Sequence, residues 1–169
     1  QPLKADATVT FAALKPGLVL QPGRSYCGEI IVTDIGLDTA SARAWVIEAS
    51  DIAAMVPRRR VDVHKWQRAT WVVAGSPGMT GAAQLAASAA ARAGAGYVRL
   101  SVPGGEVVTM RPVEAVQLPL GRDLRIEPAE LARVQSMVIG PGLGRGTFLG
   151  EAVRRLVATA DVPIVVDGD

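Results

Sequence analysis

A glycine-bearing turn between a strand and an alanine-rich helix constrains the fold of this chain more than any other feature. The apolar residues 70–74 predict a strand, residues 75–81 form the turn, and residues 80–93 predict a helix that stops before Gly94. The first turn of this helix carries almost no side chains, so its free backbone N–H groups can meet an anion. The pattern predicts the start of a nucleotide or dinucleotide site, but the same small residues would equally let the helix pack closely on a sheet.

The spacing of this turn matches neither common phosphate-binding motif. A P-loop requires Lys and then Ser or Thr after its last glycine, whereas Gly81 is followed by Ala82. None of the turns supplies the three glycines of the dinucleotide fingerprint. The turn alone therefore indicates an anion site without naming its ligand.

A second glycine-rich turn, residues 140–146, follows a second predicted strand at 136–139. Thr147 is expected to cap the next helix, 148–159, whose apolar residues have helical spacing. Asp167 directly follows the last predicted strand. In parallel sheets the carboxyl ends of the strands meet at one edge, so we expect the two turns and Asp167 to share one crevice.

Strands alternate with helices from residue 70 onward, which predicts an α/β fold with a mostly parallel sheet covered by helices. The remaining predicted elements of this region are the strands 97–102, 106–110 and 163–166 and the short helix 128–133. Two further strands, 5–11 and 29–35, flank a turn at Lys15-Pro16-Gly17. Residues 40–63 lack clean periodicity and are interpreted as a linker.

The composition restricts the partners and the compartment. A net charge of only +2 gives no reason to expect nucleic acid or a membrane as a partner. The single Cys27 cannot form an internal disulfide and no signal-peptide pattern follows Gln1, so we expect a cytoplasmic protein. Because His64 is the only histidine, no Cys/His zinc site is expected, and no other metal site is predicted. A strand pattern running almost to Asp169, and a first residue other than Met, predict a piece of a longer polypeptide.

A run of short motifs extends from His64 to the last residue. They are His64-Lys65, VAGS at 73–76, TGAA at 80–83, RAGAG at 92–96, VIGPGLG at 138–144 and PIVVDGD at 163–169. In this order they resemble the motifs of the ADP/ATP-dependent NAD(P)H-hydrate dehydratases, and the resemblance implies a ribokinase-like fold for residues 64–169.

The N-terminal part resembles a different domain. Residues 4–36 are similar to the last strands of a Rossmann-like NAD(P)H-hydrate epimerase domain, which is fused ahead of the dehydratase in bifunctional bacterial repair enzymes. The implied division is 1–39 for the end of the epimerase-like domain, 40–63 for a linker, and 64–169 for the N-terminal part of the dehydratase-like domain.

The resemblance implies a role in nicotinamide-cofactor repair. The dehydratase removes water from hydrated NADH or NADPH while ADP or ATP, with Mg²⁺, is hydrolysed, and the epimerase interconverts the two hydrate epimers. By position, Ala82 and Gly142 are expected to contact the hydrated dinucleotide, assisted by backbone N–H groups of Thr80, Gly81 and Gly140. The resemblance also implies K⁺ for the epimerase domain, and we expect a homo-oligomer.

Lys65 and Asp167 are further candidates, without a defined role. The Gly-Thr-Gly-Asp motif of the family, whose aspartate acts in catalysis, has no match before Asp169, and the key residues of the epimerase would precede Gln1. We therefore predict that the isolated 169-residue chain has no dehydratase activity with ADP or ATP, and recovery of NADPH from its hydrate by the purified chain would contradict this. A vitamin or sugar kinase of the same fold, or a non-catalytic fragment that only binds a nucleotide or a partner protein, are the alternatives.

Overall fold

The structure, a computed structural model, describes residues 2–56, 58, 60–105 and 112–167. The chain divides into two units, Gln1–Pro57 and Arg58–Asp169, and each contains its own parallel sheet. The strand predicted at 106–110 lies outside the described residues, as does Asp169.

The first unit contains strands β1 (Ala7–Phe11) and β2 (Glu29–Thr33), helices α1 (Pro16–Val19) and α2 (Ala49–Met55), and a 3₁₀ helix at Gly23–Tyr26. Strands β1 and β2 pair in parallel with Ala7 opposite Glu29, so the two strands predicted here are confirmed. Helix α2 lies in the stretch 40–63, for which the sequence pattern predicts only a linker. Its start is held by the Glu48 N–H, which donates to the Asp51 carboxylate at 2.8 Å, as in one half of a capping box.

The second unit contains strands β3 (Ala69–Val73), β4 (Tyr97–Ser101), β5 (Val116–Gln117), β6 (Ser136–Ile139) and β7 (Ile164–Val166), helices α3 (Gly81–Arg92), α4 (Pro128–Leu131) and α5 (Thr147–Thr159), and a 3₁₀ helix at Lys65–Arg68. The strands pair in parallel in the order β5-β4-β3-β6-β7, so β3 lies between β4 and β6. The predicted α/β fold, with a mostly parallel sheet flanked by helices, is confirmed. Strand β3, which leads into the first glycine-rich turn, is the centre of this sheet.

The side chains of β3 alternate between two buried clusters. Trp71 and Val73 pack in the cluster that includes residues of α5, whereas Val72 packs with Ala83 and Ala87 of α3. Because α3 presents alanine at positions four residues apart, its backbone can approach the sheet closely. The small residues of α3 therefore serve close packing, which was one of the two interpretations of the sequence pattern.

Two features differ from the sequence prediction. Helix α5 begins at Thr147 itself, after Gly146, and no side chain caps it, so the predicted cap at Thr147 is wrong. The two-residue strand β5 lies in a stretch for which no strand was predicted, and it is held by pairing with Arg99 and Leu100 of β4. A pairing of this kind depends on the neighbouring strand, and two residues carry no periodicity from which to predict it.

An arginine lies in the buried middle of β4. Arg99 is 3% exposed, and its guanidinium lies 2.7 Å from the carboxylate of Glu130 and donates to the Glu130 carbonyl oxygen at 3.1 Å. The guanidinium carbon also lies 5.5, 5.3 and 5.8 Å from the ring centres of Trp66, Trp71 and Tyr97. These contacts replace part of the hydration that a cation loses on burial.

Candidate functional site

The two glycine-rich turns lie side by side at the carboxyl ends of β3 and β6. The N–H of Gly75 in the first turn donates to the carbonyl oxygen of Pro141 in the second at 2.7 Å. Ala82 and Gly142 face each other, since a Cβ atom built on Gly142 would lie 3.1 Å from the Cβ of Ala82. The structure therefore brings together the two residues expected to contact a dinucleotide, and it leaves both partly exposed.

The first turn takes its shape from Pro77 and Gly78. The N–H of Ser76 donates to the carbonyl oxygen of Met79 at 3.2 Å, and the N–H of Met79 donates back to that of Ser76 at 2.8 Å. Proline in the second position and glycine with a φ of +80° in the third are typical of a type II turn. This tight reversal places Thr80 directly at the start of α3.

The start of α3 keeps its backbone donors open. Thr80 precedes the helix but makes no capping hydrogen bond, because its hydroxyl accepts one from the Gln84 amide nitrogen at 3.2 Å instead. The first helical turn of α3 holds no acidic side chain. The N–H groups of Gly81, Ala82 and Ala83 have no acceptor within the helix, and with the helix dipole they favour an anion here.

The second turn shows a clear difference between Gly140 and Gly142. The N–H of Gly140 donates to the carbonyl oxygen of Val73 at 3.2 Å, so the free donor predicted at Gly140 is not available. Within the described residues the N–H of Gly142 donates to no backbone carbonyl, and its φ of +68° suits glycine. Of these two glycines, only Gly142 offers an N–H group to a ligand.

A cavity of about 280 Å³ lies next to the second turn, at the start of α5. Gly140, Gly144 and Gly146 of the turn, Asp167 and Arg154 are among its lining residues, so the predicted proximity of Asp167 to this turn is confirmed. Neither Gly142 nor any residue of the first turn lines this cavity, so the expected single crevice is not formed by it. Sequence reasoning missed Arg154. The signal for it is Gly150, four residues earlier on α5, where a built Cβ would lie 3.6 Å from the Arg154 guanidinium.

Lys65 lies away from these turns. It belongs to the 3₁₀ helix before β3, whereas the first turn follows β3, and five residues of strand span about 16 Å. Its ammonium nitrogen lies 5.5 and 5.7 Å from the ring centres of Trp66 and Tyr97. The structure therefore does not bring Lys65 to the candidate site.

In the described ranges, neither the helices nor the His, Cys, Asp and Glu residues indicate a membrane span or a metal cluster. No helix in these ranges is long and apolar enough to cross a membrane. No group of three or more His, Cys, Asp or Glu residues in the same ranges is arranged to hold a metal ion.

Comparisons with known proteins give consistent findings. The family model described as NAD(P)H-hydrate dehydratase (Carb_kinase) matches residues 70–169. The bifunctional NAD(P)H-hydrate repair enzyme of Moorella thermoacetica is 38% identical over an alignment of 185 positions, which covers 99% of this chain and 35% of that enzyme. The enzyme of the same name from Mycobacterium tuberculosis is 38% identical over 167 residues. This match covers 98% of this chain and 33% of that enzyme. The chain thus spans about a third of the length of these relatives.

A solved structure supports the fold. The crystal structure of the ADP/ATP-dependent NAD(P)H-hydrate dehydratase from Bacillus subtilis, co-crystallized with ATP and Mg²⁺, matches with a TM-score of 0.54 and 27% identity. The match covers 70% of this chain and 44% of that one, and it confirms the expected ribokinase-like architecture. Since the family model covers more than half of the residues, this chain belongs to the NAD(P)H-hydrate dehydratase family.

Proposed function

We propose that residues 64–169 are the N-terminal part of a dehydratase that removes water from hydrated NADH or NADPH, within a bifunctional cofactor-repair enzyme. The observation that carries this proposal is the contact between the two glycine-rich turns at Ala82 and Gly142. It joins the open start of α3 to the Gly142 N–H, which donates to no backbone carbonyl of the described residues, at one edge of the sheet. The two relatives named as bifunctional NAD(P)H-hydrate repair enzymes match almost the whole chain, including residues that precede the 70–169 match of the family model.

Backbone groups, rather than long side chains, are proposed to hold the dinucleotide. The N–H groups of Gly81 and Ala82 at the start of α3, together with that of Gly142, would bind its phosphate oxygens. Thr80 borders the same site. Because Ala82 and Gly142 carry almost no side chain, a phosphate or a flat ring can lie against the backbone there.

The proposed co-substrate is ADP or ATP with Mg²⁺, because the Bacillus subtilis dehydratase was co-crystallized with ATP and Mg²⁺. When bound, it supplies the phosphoryl group that makes the hydroxyl of the hydrate a good leaving group. Helix α5, like α3, begins without a side-chain cap and without an acidic residue in its first turn, and both starts suit phosphate oxygens.

We assign residues 1–39 to the end of an epimerase-like domain and 40–63 to a linker. The parallel pairing of β1 and β2 supports this assignment, because parallel strands are typical of α/β domains. A K⁺ ion is proposed for the epimerase of the full-length protein. The homo-oligomeric state and the cytoplasmic location stay predictions.

Replacing Ala82 by leucine is expected to weaken the binding of NADP⁺, an unhydrated analogue of the substrate, about tenfold or more. A leucine at this position extends toward Gly142, where even a built Cβ lies only 3.1 Å from the present Ala82 methyl group. A tenfold loss of affinity corresponds to about 1.4 kcal/mol of binding free energy. Isothermal titration calorimetry of the 169-residue chain with NADP⁺ measures the effect.

The matched control is Ala89→Leu, which adds the same side chain to an exposed position of the same helix. This variant should bind NADP⁺ like the unaltered chain, and urea unfolding of both variants separates a binding defect from misfolding. Equal affinity of the two variants would contradict the proposed site. Binding of ATP with Mg²⁺ but not of NADP⁺ would favour the kinase alternative, and binding of neither would favour a non-catalytic fragment.

A further inference from the structure

A serine hydroxyl in the first glycine-rich turn has no partner in the part of the chain that the structure describes. The Ser76 Oγ exposes less than 1 Å² to solvent and has no hydrogen-bond partner among the described residues. Buried polar side-chain atoms are nearly always paired, because an unpaired buried hydroxyl destabilises the folded state. The Ser76 hydroxyl therefore requires an explanation that its own fold does not supply.

A second buried serine shows what a satisfied hydroxyl looks like in the same unit. Ser101 is 1% exposed, and its hydroxyl accepts from Trp71 Nε1 at 3.0 Å and donates to the carbonyl oxygen of Leu118 at 2.8 Å. Both donor and acceptor capacity are used there. Ser76 and Ser101 thus form a natural pair for comparison.

The surroundings of Ser76 place it between the two parts of the proposed site. A Cβ built on the preceding Gly75 would lie 3.1 Å from the Met79 carbonyl oxygen and 3.5 Å from the Thr80 Cα, at the start of α3. On the other side, the Cα of Gly75 would lie 3.7 Å from a Cβ built on Gly142. Ser76 therefore follows a residue that touches both the open helix start and the second turn.

We propose that the Ser76 hydroxyl is a further binding residue that donates to a phosphate oxygen of the dinucleotide, an inference that rests on the proposed function. Ser76 as a whole is partly exposed although its Oγ is not, so the proposal requires the hydroxyl to turn about χ1 toward the bound dinucleotide. The group it meets there is an anion, because the first turn of α3 carries open N–H groups and no acidic side chain. A hydroxyl that donates to a charged phosphate oxygen forms one of the stronger hydrogen bonds in proteins.

The test compares Ser76→Ala with Ser101→Ala in the 169-residue chain. Ser76→Ala is expected to leave the urea-unfolding midpoint of the ligand-free chain unchanged or higher, and to weaken NADP⁺ binding about tenfold. It should weaken the binding of inorganic pyrophosphate by a similar factor. Any binding of nicotinamide riboside, which has no phosphate, should stay unchanged. Ser101→Ala is expected to lower the unfolding midpoint, because it leaves Trp71 Nε1 unpaired, and to keep the NADP⁺ affinity of the folded chain.

Each other outcome has a definite meaning. Unchanged NADP⁺ affinity of Ser76→Ala, or a lower unfolding midpoint without a loss of affinity, would overturn the proposal and make the hydroxyl structural. If Ser76→Ala loses affinity for NADP⁺ but not for pyrophosphate, the proposed hydrogen bond from Ser76 to a phosphate oxygen is overturned. If the unaltered chain binds neither NADP⁺ nor pyrophosphate, the proposed function fails together with this inference. If only Ala82→Leu loses NADP⁺ affinity, the proposed function stands and only the role of Ser76 is refuted.

Discussion

Replacing Gly140 by alanine is expected to lower the free energy of unfolding of the Arg58–Asp169 unit by about 3 kcal/mol. Gly140 has a φ of +124°, where a residue with a side chain is strained. A Cβ built there would lie 2.7 Å from the Asp167 carbonyl oxygen and 2.9 Å from the Asp167 Cβ. Neither atom is the far end of a flexible side chain, so the end of β7 must move away from β6. Urea unfolding followed by tryptophan fluorescence, to which the buried Trp71 contributes, measures the loss.

The control for this prediction is Gly144→Ala in the same turn. Gly144 also has a positive φ, of +79°, but a Cβ built there has nothing within 4 Å. Alanine at this position should therefore cost about 1 kcal/mol, from backbone strain alone. The difference between the two variants isolates the contact with Asp167. Equal losses in the two variants would show that β7 does not end against Gly140.

Arg99→Ala is expected to destabilise the same unit by about 3 kcal/mol. The substitution removes a 3% exposed guanidinium that contacts the Glu130 carboxylate at 2.7 Å and the rings of Trp66, Trp71 and Tyr97. Breaking a buried ion pair by deleting one partner costs about 3–5 kcal/mol. The Glu130 side chain is 38% exposed and remains hydrated, which places the effect at the lower end of that range. The shift of the urea-unfolding curve reports it.

Two further variants separate charge from packing at Arg99. Arg133→Ala removes a 59% exposed guanidinium that contacts the same Glu130 carboxylate at 3.2 Å, and it should change stability by about 0.5 kcal/mol or less. Arg99→Met keeps an unbranched apolar stem over the aromatic rings and should recover most of the loss of Arg99→Ala. If Arg133→Ala destabilises the unit as strongly as Arg99→Ala, burial is not the source of the effect.

Most elements of the fold were predictable because they carry a local pattern. The runs that form β1, β2, β3, β4, β6 and β7, and the helical spacing in α3 and α5, predict these elements to within two residues at either end. Helix α2 and strand β5 were not predicted. Helix α2 starts with Glu48 and Asp51 in place of the usual Ser or Thr signal, and β5 exists because Val116 and Gln117 meet a neighbouring strand.

The candidate site was predictable in its parts but not in its hydrogen bonding. The turns at 75–81 and 140–146 were visible as glycines after strands, and the structure places them in contact. The predicted donor at Gly140 is used instead for pairing with Val73, because the pairing between β3 and β6 continues one residue past the strand. Only the structure shows that Ser76 lacks a partner among the described residues and that Arg154 lines the neighbouring cavity.

The sequence by itself determined where this chain turns, because a glycine, a proline or a run of alanines acts on the residues next to it. It also carried the motifs of a nucleotide-dependent repair family, in order. The tertiary structure alone decided which turns meet. Ala82 and Gly142 are far apart in the chain, and they touch because β3 and β6 are neighbours in the order β5-β4-β3-β6-β7. Strand order is a property of how whole strands and helices pack, and no short segment of sequence specifies it.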